Sequence, residues 1–124
     1  MNEPLAILLY EKLMPGSQLV NRLQDLNYRV QTVTDADALP PLAEREKPLV
    51  VVADLYSAQN KVCAALTKLR QNPATAHIPV VAFSSRNDEA LHAAAREAGA
   101  TLVATEAAIT HHLPQLLDQA LTEF

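Results

Sequence analysis

Two glycines and one cysteine are all that this chain of 124 residues contains of those two types. With only Gly16 and Gly99 available, neither a G-x-G-x-x-G turn nor a Walker loop can be built, which disfavours dinucleotide and nucleotide binding. A flavin site would want a first loop richer in Ser and Thr than MPGS at residues 14–17. The lone Cys63 excludes an intramolecular disulfide and fits a reducing compartment. Basic charge is also scarce. Ten Lys and Arg face fourteen Asp and Glu, and a net charge of −4 argues against a nucleic-acid-binding face. No apolar run approaches the ~18 residues of a membrane span, and residues 1–4, MNEP, lack the basic start of a signal peptide. The expected setting is the cytoplasm.

What is present is an ordinary globular composition, 49% apolar and 19% charged, in a length that suits one domain over residues 1–124. Residues 5–10, LAILLY, form a short run that is apolar on both faces, as a central parallel strand requires. MPGS then reads as a turn, and Leu19, Val20, Leu23 and Leu26 recur at helical spacing up to a left-handed cap at Asn27. Residues 28–33 alternate with period two, as an edge strand does. Pro40 and Pro41 confine the next helix to about residues 40–46, because proline is tolerated only in a first turn.

Residues 49–55 are the third strand. Ser57 is the expected N-cap of a helix that carries Val62, Ala65, Leu66 and Leu69 on one face and stops at Asn72-Pro73. Residues 78–83 make the fourth strand. Asn87 or Asp88 should cap a fourth helix of Leu91, Ala94, Ala95 and Ala98 that ends at Gly99. Residues 101–104 make a short fifth strand, and Pro114 delays the last helix to a start near residue 112. Five strand–helix units with short connections imply right-handed crossovers and a parallel sheet covered on both faces. The predicted class is α/β: a (βα)5 doubly wound, five-stranded parallel sheet of the flavodoxin type, strand order 2-1-3-4-5.

In such a sheet, ligands and chemistry sit beyond the carboxyl ends of the strands. The third strand, VVVAD at residues 50–54, delivers Asp54 to that place. Together with LTKLRQNPATAHIPVVAFSS at residues 66–85 and Ala98-Gly99-Ala100 before the fifth strand, this aspartate makes the chain resemble a CheY-like receiver domain of two-component response regulators. The resemblance covers nearly the whole chain. It implies a phosphoacceptor aspartate, an acidic pair after the first strand that holds Mg²⁺, a Ser or Thr ending the fourth strand, and a Lys ending the fifth.

Carried over position by position, the resemblance assigns Asp54 to the phosphoacceptor and Ser84 to the hydroxyl. The acidic pair falls on Glu11 and Lys12, the lysine on Glu106, and the aromatic switch position on Val103. The Pro/Gly-rich loop that follows the aspartate in the family is LYSAQN here. Glu106 turns an attraction for phosphate into a repulsion, about 1 kcal/mol at ~4 Å in water and ~4 kcal/mol at an effective dielectric near 20. Lys12 removes a formal ligand from the Mg²⁺ site and adds a nearby positive charge. Its ammonium could instead stand beside Asp54 in the metal's place and hold the domain in one state.

These substitutions make the chain resemble a degenerate pseudo-receiver: a signal-transduction module for protein–protein interaction, without enzymatic activity, with no cofactor and with Mg²⁺ binding lost or weak. The expected partner is another signalling protein, with neither nucleic acid nor membrane involved. The family's pairing face, made of the fourth helix, fifth strand and fifth helix, offers a route to a homodimer through the alanine-rich fourth helix. Two other readings compete. One is an unconventional receiver phosphorylated at Asp54; the other is a small-ligand sensor at the strand mouth, near Tyr10, Tyr56 and Glu106. Cys63 reads as packing, and the adjacent His111 and His112 point roughly 100° apart, poorly placed to share a metal. His77 and His92 stand alone in the sequence.

Overall fold

The computed structural model describes residues 4–10, 13–55, 61–84 and 89–122. Five parallel strands form its centre: β1 (Leu5–Leu9), β2 (Arg29–Val33), β3 (Val50–Asp54), β4 (Val80–Ser84) and β5 (Leu102–Thr105). Their order is β2-β1-β3-β4-β5, the order expected from the sequence. The helices are α1 (Leu13–Asp25), α2 (Leu39–Glu46), α3 (Val62–Gln71), α4 (Glu89–Ala98), α5 (Glu106–His111) and α6 (Leu113–Thr122).

All five residues of each of β1, β3 and β4 are buried, because helices cover the sheet on both faces. Side-chain alternation splits the core into two layers. Ile7, Leu9, Val51, Ala53, Val80 and Ala82 face Leu39 and Leu42 of α2, Leu66 and Leu69 of α3, and Ala95 of α4. Ala6, Leu8, Val50, Val52, Val81 and Phe83 face Leu19 and Leu23 of α1, Ile109 of α5 and Leu117 of α6.

Several local expectations hold for the reasons given. Asn27 is left-handed at φ 70°, and Gly99 has φ 113°. Prolines occupy the first turn of α2. Asn72 caps α3, where its Oδ1 accepts from the Ala74 N–H at 2.9 Å and its Nδ2 donates to Glu44.

Others are corrected. Residues 14–17 belong to α1 and not to a turn: Pro15 falls in the first helical turn, where no N–H is needed. Helix α3 starts at Val62 behind Lys61, with no side-chain cap; Ser57 lies outside the described residues, as do Asn87 and Asp88. The single late helix after β5 is in fact two. Thr105 caps α5 by accepting from the Ala108 N–H at 3.2 Å. The chain then breaks at His112 (φ −126°, ψ 28°), and Pro114 sits in the first turn of α6. In α4 the buried positions are His92 and Ala95, while Ala94 is exposed.

At the ends of the strands opposite Asp54, one side chain ties three segments together. The Arg70 guanidinium donates to the carbonyls of Gly99 (2.7 Å), Ala76 (2.6 Å) and Ile78 (2.8 Å), and to the Thr101 hydroxyl at 3.2 Å. Thr101 Oγ1 in turn accepts from the Val80 N–H at 3.1 Å. Burial pushes the guanidinium below its ordinary pKa, although arginine stays charged at any ordinary pH.

Candidate functional site

β3 and β4 end side by side, with Asp54 in register with Phe83 and Ser84 with Thr105 of β5. The Leu55 N–H donates to the Phe83 carbonyl at 2.7 Å, extending the pairing one residue past Asp54. Asp54 is 2% exposed and Ser84 4%. Asp54 thus closes its strand as expected, but as a buried carboxylate. Alternation along the strands puts it on the face of Val50 and Val52, toward α1, α5 and α6, whereas Ser84 shares the face of Val80 and Ala82, toward α3 and α4.

Ser84 has a partner that the sequence did not disclose. Its Oγ lies 2.7 Å from Nε2 of His92, which is 8% exposed on α4. His92 therefore does not stand alone. A Ser–His contact can activate a hydroxyl, but both groups here are buried against the core, and the geometry serves to tether α4 to the end of β4. The sequence signal was weak: helical spacing puts His92 one turn before the buried Ala95, yet its polarity reads as solvent-facing. Replacing His92 with Ala removes this hydrogen bond and leaves a void, with an expected loss of about 2 kcal/mol in urea unfolding. A double-mutant cycle with Ser84→Ala should give a coupling of about 1 kcal/mol. Full additivity would mean that the two side chains act independently.

Glu106 is the first residue of α5 and half-buried; its carbonyl accepts from the Thr110 hydroxyl at 2.8 Å. A carboxylate in a first helical turn is stabilised by the helix dipole, so Glu106 has a structural use besides its position at the strand mouth. Val103 is half-buried against the layer of α2, α3 and α4. Tyr10 packs half-buried against the opposite layer. Glu11, Lys12 and Tyr56 lie outside the described residues.

Among the described residues no group of three or more His, Cys, Asp or Glu is placed to hold a metal ion, and His111 and His112 are both exposed. Burial pushes the Cys63 thiol above its ordinary pKa, away from the thiolate that a nucleophile needs. No described helix is long and apolar enough to cross a membrane.

No family model matches the sequence, and no curated protein matches it. Solved structures do match. A candidate response regulator from Chloroflexus aurantiacus superposes with a TM-score of 0.90 at 16% identity, over 98% of this chain and all (100%) of that one. The receiver domain of a sensor histidine kinase from Pseudomonas aeruginosa, solved with magnesium coordinated in its active-site cleft, gives 0.87 at 17% identity, covering 97% and 98%. A chemotaxis response regulator of Vibrio cholerae gives 0.85 at 15% identity, covering 97% and 100%. The chain has the receiver-domain fold of response regulators. At such identities the likeness is one of fold, and the roles of individual residues rest on their own chemistry.

Proposed function

We propose that this protein is a pseudo-receiver, a signal-transduction module that works by protein–protein contact and not by Mg²⁺-dependent phosphorylation. The observation that carries the reading is the character of the groups that follow the carboxyl ends of β4 and β5, on the same edge of the sheet as Asp54. The hydroxyl of Ser84 is engaged by His92 at 2.7 Å, and a carboxylate, Glu106, opens α5 where a receiver would offer a lysine to phosphate.

Mg²⁺ wants several oxygen ligands in near-octahedral order. The residues at the strand ends do not fit that demand. Asp54 is buried, Ser84 is tied to α4, and the sequence has an ammonium at Lys12 where a second carboxylate would serve. The magnesium in the cleft of the Pseudomonas receiver domain belongs to that protein, and no step is assigned to a metal here.

The surface proposed for a signalling partner, or for a second copy, is the one built by α4, β5 and the helical segment after β5, which the structure divides into α5 and α6. Ala90, Ala93 and Ala94 are exposed there, and β5 is an edge strand whose outer side chains are only half-buried. Small exposed side chains allow close approach of a partner backbone.

Intact-mass measurement after incubation with acetyl phosphate and Mg²⁺ tests the reading. The expected result is an unchanged mass, both for the native chain and for Asp54→Asn. A phosphoryl adduct on the native chain that disappears in Asp54→Asn would replace the pseudo-receiver with an unconventional receiver phosphorylated at Asp54.

A further inference from the structure

The strand ends opposite Asp54 carry an open groove of about 660 Å³, within the size range of small-ligand sites. It forms where β1, β2, β3 and β4 begin, with Leu121 of α6 at one side. Three of its walls are prolines, Pro4, Pro48 and Pro79, which present no N–H to be satisfied. Two of their carbonyls are already used: Pro4 accepts from the Arg29 N–H at 2.8 Å and Pro79 from the Val51 N–H at 3.0 Å. The floor is thus apolar and rigid. Leu49 stands in it 43% exposed, the exposed large hydrophobic side chain among the described residues.

Among the described residues, Arg29 and Lys47 are the charged groups that line the groove, with His77 beside them and no Asp or Glu, in a chain whose net charge is −4. Lys47 is also held in the left-handed region (φ 52°, ψ 61°) as the C-cap of α2, where glycine or asparagine would sit without strain. A cationic side chain is kept at the rim where the backbone would favour glycine.

We infer that this groove binds a small amphiphilic carboxylate, its aliphatic body against Leu49, Pro48, Pro79 and Leu121 and its head group on the side of Arg29 and Lys47. Charge complementarity selects an anion, and the donor-free proline walls select an apolar body. This site is independent of the strand mouth at Asp54.

The test is an amide-shift NMR titration of the whole chain with octanoate, octylammonium and 1-octanol in parallel. Octanoate should give saturable shifts at Arg29, Lys47, Leu49 and His77, with octylammonium at least tenfold weaker. Lys47→Gly relieves the left-handed backbone, so it should melt at a higher temperature than the native chain and yet bind octanoate at least fivefold more weakly. Arg29→Gln should weaken octanoate similarly. Octanol or octylammonium binding as tightly as octanoate, shifts scattered away from the groove, absence of saturation, or undiminished binding by both variants would each overturn the inference.

Discussion

Replacing Arg70 with alanine is expected to remove about 3 kcal/mol of stability and lower the melting temperature by roughly 10 °C, the largest loss from truncating any single polar side chain described above. The guanidinium serves three carbonyls and one hydroxyl drawn from the α3–β4 and α4–β5 connections. A bond made by a charged donor contributes about 1.5–3 kcal/mol net where it is buried and less where water can replace it, and alanine would leave the part-buried acceptors without their donor. Arg70→Lys should recover less than half of the loss. An ammonium is a point donor and cannot span the fork from Gly99 to Ile78. Urea denaturation of the three proteins decides the matter. A loss below ~1 kcal/mol in Arg70→Ala would show that water replaces the guanidinium at little cost.

Gly99→Ala is expected to cost about as much, 3–4 kcal/mol, through a different cause with a shared partner. At φ 113° an L residue is strained by about 1–2 kcal/mol. A β-carbon built there would also lie 2.2 Å from Cγ and 2.9 Å from Nε of Arg70. Arg70 would have to move, losing the bond from its Nε to the Gly99 carbonyl. Because part of the penalty acts through Arg70, the two substitutions should not add. The double variant Gly99→Ala/Arg70→Ala is expected to be more stable than the sum of the singles by about 1–2 kcal/mol. Strict additivity would assign the whole cost of Gly99→Ala to the backbone. Typical domains have only 5–15 kcal/mol to lose, so either single change removes a substantial share.

Arg70 also shows where reading a sequence stops. It lies inside the stretch that carries the resemblance to receivers, and on the helical pattern of α3 it is merely a polar residue beside Leu69. Its function depends on acceptors up to 31 positions away, which no local periodicity reports. His92 follows the same logic at the other end of the sheet. Helical spacing brings it near the core, but only the packing of α4 on β4 gives its imidazole the Ser84 hydroxyl and so makes its burial tolerable. The break between α5 and α6 is an intermediate case. Pro114 was visible and correctly barred from a helix interior, yet the chain before it could still form a further short helix because Thr105 caps it and Ile109 finds the core.

The sequence by itself determined the parallel doubly wound sheet, its strand order, the covered strands β1, β3 and β4, and the arrival of Asp54 at a strand end. Apart from the strand order, which the alternation narrows to a few doubly wound arrangements, these follow from local periodicity and from the handedness of crossovers, which act through neighbours in the chain. Only the tertiary structure decided that Asp54 is buried, that Ser84 is paired with His92, that Arg70 staples the far ends of the strands, and that three prolines and three basic residues converge on one groove. Each of those depends on groups from separate elements meeting in space, where burial and hydrogen bonding set the free energy of a polar atom.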